Sequence, residues 1–103
     1  MKIVYLASTK ADIEWMRRYY SSIFPAGAKR AREHFRACEK MLEQNPLIGH
    51  QSDIAGVREL VVAHTPFVFV YRVAAERVEV LRGWDGRGER SNSQNSKWAS
   101  DDS

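Results

Sequence analysis

Five of the six arginines in the β-rich stretch that runs from Val57 to Arg90, namely Arg58, Arg72, Arg82, Arg87 and Arg90, are the chain's leading candidates for chemistry. A guanidinium presents a planar fork of N–H donors that can clamp phosphate or carboxylate in a two-point grip. The same stretch holds Glu59, Glu76, Glu79 and Asp85, so each arginine has a structural ion pair as its alternative. For Arg58 and Arg72, inside predicted strands, the ion pair is the favoured reading. Arg87 and Arg90 lie beyond the last predicted strand, where side chains more often serve binding. Trp84 follows that strand and precedes a glycine turn, a place from which it can cap the core or anchor a partner. Arg58, Arg82, Trp84, Arg87 and Arg90 are therefore the expected contacts to a target or partner.

Other chemistries find less support. His34, His50 and His64 fall on different predicted elements, no HxxxH or CxxC spacing occurs, and no carboxylate-dense loop is present, so no metal site is expected. No cofactor is implied either. Cys38 has only His34 at helical reach, and a cysteine on an apolar helix face is more often packing than nucleophile. The glycines of Gly83 to Gly88 have no helix after them, which argues for a turn and against a nucleotide loop. Lys29, Arg30, Arg32 and Arg36 form a local basic run on a predicted helix, a pattern that is usually a solvated face and less often a phosphate contact.

The elements that must position these residues follow from length and pattern. At 103 residues there is room for one hydrophobic core, and a 44% hydrophobic, 28% charged composition predicts that it folds. The net charge of +3 is too small for a dedicated nucleic-acid arm. One cysteine allows no internal disulfide, and the apolar run before Ser8 is too short for a signal peptide or a membrane span. The expected compartment is the cytoplasm, with no membrane partner.

Ile3 to Leu6 reads as a strand. Thr9 is a plausible N-cap for a helix that places Asp12 at its positive end and Ile13, Met16 and Tyr20 on one face, ending near Ser21 and Ser22. Phe24 to Gly27 turns the chain, with Pro25 suited to the first turn of a second helix. From Ala28, apolar residues recur at three- and four-residue steps through Ala31, Phe35, Cys38 and Leu42 until Asn45 and Pro46 stop the pattern. Three β-rich runs follow, Val57 to Ala63, Phe67 to Val73 and Arg77 to Leu81, spaced as an antiparallel meander. Phe67 to Tyr71 shows almost no alternation, which predicts a central strand covered on both faces. The expected architecture is α+β, in the order β-α-α-β-β-β, with an antiparallel four-stranded sheet packed against a two-helix hairpin. Residues 1–90 form the domain and 91–103, rich in serine and asparagine, a polar, mobile tail.

Pro25 to Ala31, Asn45 to Gly49, Val57 to Leu60, Tyr71 to Val73 and Val80 to Arg87, in this order and spacing, resemble the RelE/ParE superfamily of type II toxin–antitoxin toxins, in its ParE-like, plasmid-stabilisation branch. The resemblance covers about Lys2 to Arg90. It implies a growth-inhibiting toxin neutralised by a cognate antitoxin in a hetero-oligomer, with one of two modes of action. RelE-like members cleave mRNA on the ribosome without metal, using basic groups on the open sheet face and near the C-terminus. ParE-like members poison DNA gyrase without known catalysis. Matched without gaps, the basic catalytic positions of the nucleases fall here on Glu59, Val61 and Val68, where a carboxylate repels phosphate and valine transfers no proton. Arg87 matches a C-terminal basic position, but no tyrosine or histidine follows it. The expected function is thus a ParE-like toxin that binds gyrase. The enzymatic alternative is a ribosome-dependent, metal-independent endoribonuclease stabilising phosphate through Arg82, Arg87 and Arg90. A third alternative is a non-toxic member that retains only antitoxin binding.

Overall fold

A computed structural model describes residues 1–86; Arg87, Arg90, the expected boundary at residue 90 and the expected tail lie outside the described residues. The chain runs through β1 (Lys2–Tyr5), α1 (Lys10–Arg18), α2 (Ala28–Gln44), β2 (His50–Gln51), β3 (Val57–Val61), β4 (Phe67–Ala74) and β5 (Arg77–Asp85). The α+β class and the strand, helical hairpin, meander order agree with the expectation. The sheet gains a fifth, two-residue strand, β2, and its order is β1-β5-β4-β3-β2. It is also mixed, because β1 lies parallel to β5, from Lys2 beside Arg77 to Tyr5 beside Val80. Parallel neighbours need a long connection, and here the whole hairpin and the meander lie between them.

The unbroken apolar run of β4 occupies the centre. Alternation sends Phe67, Phe69 and Tyr71 toward the helices, where they pack with Val78, Val80, Val62, Met16, Tyr19, Cys38 and Leu42 in the main core. Val68 and Val70 point to the opposite face and join Val57 and Trp84 in a smaller cluster. Burial on both faces is why this strand carries no polar alternation.

Two expectations about element ends are corrected. Thr9 does precede α1, but its hydroxyl donates back to the Leu6 carbonyl at 2.6 Å and caps nothing. The last strand continues past Leu81 to Asp85. Tyr71 pairs with Val80 while Val70 pairs with Arg82, so Leu81 is the extra residue of a bulge. Its break in alternation ends the period-two pattern early, and Trp84 consequently sits within β5, opposite Val68, instead of following the strand.

The hairpin turn is built from aromatics. A π-helical turn over Tyr19–Ile23 closes with the Phe24 N–H on the Tyr19 carbonyl at 2.8 Å. It turns Tyr19 and Tyr20 edge-on to Phe67, with ring centroids 5.5 and 6.1 Å away. At the other end of the hairpin, the Tyr71 hydroxyl donates to the Pro46 carbonyl at 2.8 Å and accepts the Gly49 N–H at 2.9 Å. A Cβ at Gly49 would stand 2.7 Å from both that hydroxyl and the Glu59 carbonyl. Position 49, in the loop that follows α2, must therefore be glycine for that loop to close on β4.

Candidate functional site

α1 and α2 diverge over the sheet and leave between them a cleft of about 500 Å³, lined mainly by Tyr5, Ile13, Met16, Tyr20, Phe35 and Phe69, with Arg17, Arg32 and Glu39 also on its walls. Tyr5 and Phe69 meet edge to face, with centroids 6.1 Å apart. The hydrophobic stripes of both helices are wider than the sheet beneath them can bury, and the excess apolar surface becomes this cleft.

Two of its polar groups, Tyr5 and Glu39, are paired with each other. The Tyr5 hydroxyl donates to the Glu39 carboxylate. Burial, and then that carboxylate, push the phenol well above its ordinary range, so Tyr5 stays a donor and is no phenolate base. The Cys38 thiol, raised to about 11 by burial and by Glu39, stays protonated at neutral pH and packs in the core. The lining is mainly apolar, and neither Tyr5 nor the neighbouring Cys38 is an activated nucleophile.

The arginines expected at a site are spread over the sheet. Arg58 Nη1 donates to the carbonyls of Gly49 at 2.7 Å and Leu47 at 3.3 Å, pinning the loop that follows α2. Arg72 and Arg77 both pair with Glu79, which is almost fully buried between them. Arg82 grips Asp12 of α1 at two points, Nε to Oδ2 at 2.7 Å and Nη2 to Oδ1 at 3.2 Å. The carboxylate raises the already high pKa of that guanidinium. Arg82 also lies over the Trp84 ring, 5.6 Å from its centroid. The structure thus brings Arg82 and Trp84 together on β5 and leaves Arg58 two strands away.

Asp12 lies in the first turn of α1, as expected, and its side chain reaches across to β5. It accepts the Gly83 N–H at 3.0 Å in addition to Arg82, so it satisfies the strand edge that β1, ending at Tyr5, leaves open. No local pattern could have revealed a pair so distant in the chain.

The sheet face opposite the helices carries Glu59, Val61, Val68 and Val70 as neighbours, through the pairs Glu59 with Val70 and Val61 with Val68. Glu59 is buried and meets His50 Nε2 at 3.2 Å, whereas Val61 is exposed. Among these four side chains there is no cation to stabilise a phosphate. No group of three metal-ligating side chains occurs among the described residues, and no described helix is long and apolar enough to cross a membrane.

The chain matches the family model described as the ParE toxin of the type II toxin–antitoxin system parDE, over residues 3–89. Among solved structures it is similar to a chain of the chromosomal ParDE TA system from P. aeruginosa, with a TM-score of 0.65 and 27% identity. The match covers 81% of this chain and 92% of that one. No curated protein matches.

Proposed function

The chain belongs to the ParE toxin family of type II toxin–antitoxin systems, and on that premise we propose that it acts in the cytoplasm by binding a target, DNA gyrase, and that a cognate antitoxin neutralises it. The observation that carries the reading is the sheet face of Glu59, Val61, Val68 and Val70. A phosphate approaching these four side chains would meet a buried carboxylate and aliphatic surface, with no cation among them to act as an electrostatic clamp. The described arginines do not make up the deficit. Arg82 is paired with Asp12, and Arg72 and Arg77 share Glu79; a guanidinium already engaged by a carboxylate is a weaker phosphate anchor.

The cleft between α1 and α2 supports the antitoxin half of the proposal. An amphipathic segment with anchors at helical spacing fits a hydrophobic groove, and the part of β3 beyond its two-residue pairing with β2 offers a strand edge. Growth should arrest when the chain is expressed alone and recover when the antitoxin is co-expressed. Purified protein should block gyrase supercoiling and leave ribosome-bound mRNA intact. Cleavage of that mRNA with supercoiling unaffected would instead establish the ribonuclease, and normal growth under full expression of the folded chain would establish the non-toxic antitoxin binder.

A further inference from the structure

His34 and His64, which the sequence assigns to different elements, meet at one end of the hairpin. His34 lies on α2 and His64 in the turn between β3 and β4, and their ring centroids are 4.6 Å apart with planes inclined at 42°. Among the described residues neither ring takes part in a hydrogen bond or ion pair. The two rings open onto a cleft of about 590 Å³ that Tyr20, Phe24, Arg30 and Glu33 also line.

The separation of the two rings suits a chelating pair. Two imidazoles bound through a ring nitrogen at about 2.1 Å, on adjacent positions of one ion, place their centroids roughly 4.5 to 5.2 Å apart. The observed separation lies in that range. His64 is also held in place: its φ is 64°, in the left-handed region that histidine enters more readily than most residues. The next residue locks the turn, for Thr65 donates to the Val62 carbonyl through both its N–H, at 3.1 Å, and its hydroxyl, at 2.9 Å. The same hydroxyl accepts the Phe67 N–H at 3.1 Å. One ligand thus rides on a helix and the other on a rigid turn, which is the preorganisation a metal site needs.

We propose that His34 and His64 form a two-histidine site for a divalent transition-metal ion of the zinc, nickel or copper kind, which clips α2 to the β3–β4 turn. Imidazole pairs select these ions over magnesium and calcium. Glu33 adds negative charge to the cleft and Arg30 opposes it. With no third protein ligand assembled among the described residues, water completes the coordination shell, and binding is weaker than at a closed four-ligand site.

The test is titration of the full chain with copper, nickel and zinc ions, and with magnesium as control, read by calorimetry and thermal unfolding. Saturable one-to-one binding and a raised Tm are expected for the transition ions, tightest for copper, and not for magnesium. His34→Gln and His64→Asn should each weaken binding by about tenfold or more, as loss of half the protein ligands requires. His50→Gln should not. No saturable binding, or binding unchanged in both variants, or loss only in His50→Gln, would overturn the proposal. A second measurement needs no variant: copper added to the native chain should broaden the imidazole resonances of His34 and His64 first, and broadening of His50 alone would equally overturn it.

Discussion

Asp12 and Arg82, 70 residues apart in the chain, form a two-point ion pair that ties the first turn of α1 to β5. The same carboxylate takes the Gly83 N–H, so one side chain closes both a charge and a strand edge. Asp12→Ala is expected to destabilise the fold by about 2 kcal/mol, since it strands a guanidinium and a backbone donor together. Arg82→Ala should cost only about 1 kcal/mol, because its side chain is 36% exposed and water replaces part of the lost pairing. Urea unfolding of the two single variants and the double variant measures their coupling. Strict additivity would mean that the pair contributes nothing as a pair.

The two residues that join β4 to β5 have the wrong identities for their backbone. Ala75 and Glu76 have φ of 53° and 60°, the left-handed conformation of a tight two-residue hairpin, which asparagine and glycine adopt with far less strain. The combined change Ala75→Asn and Glu76→Gly should therefore raise stability by about 1 kcal/mol. Thermal unfolding gives the readout, and an unchanged or lower Tm would show that strain there is relieved by other means.

Glu79 makes the fold acid-sensitive in a predictable direction. Hydrogen bonds from Arg72 and then Arg77 hold its carboxyl below the ordinary value of 4.5. A carboxyl that is more acidic in the folded state binds fewer protons there than in the unfolded chain. Its contribution is thus fully present above the ordinary value and lost as pH falls through the lower, folded one. Glu79→Gln should lower stability at neutral pH and flatten the loss on acidification, a difference that urea midpoints taken from about pH 6 down to about pH 2 would resolve. Parallel curves for the two proteins would assign the acid sensitivity elsewhere.

Local pattern carried the helices and the centre of the sheet. The steps through Ala31, Cys38 and Leu42 are the buried face of α2, and the missing alternation of Phe67 to Tyr71 does mark a strand buried on both sides. What stayed illegible is non-local. Nothing in Ile3 to Tyr5 specifies a parallel partner, and His50–Gln51 is a strand only because β3 lies beside it. The bulge at Leu81 conceals the last four residues of β5, and with them the strand position of Trp84. The pairs Asp12 with Arg82 and His34 with His64 exist only once the hairpin is docked on the sheet.

Ile13 offers the most direct probe of antitoxin docking. It lines the cleft between α1 and α2 and is only half-buried, so a larger polar side chain there can reach water in the free protein without opening the core. In a complex that fills the cleft, the same side chain would be sealed against apolar anchors. Burying a carboxylate without a partner is costly enough that Ile13→Glu should weaken antitoxin binding by about 10- to 100-fold. Lys40→Ala, an exposed change on α2 away from the cleft, should leave affinity unchanged. Calorimetric titration of each variant with the antitoxin, alongside an unfolding curve of the free protein, separates a lost interface from a lost fold. If Ile13→Glu folded normally and bound as tightly as the native chain, the cleft would not be the docking groove, and the free strand edge beyond β2 would become the place to look.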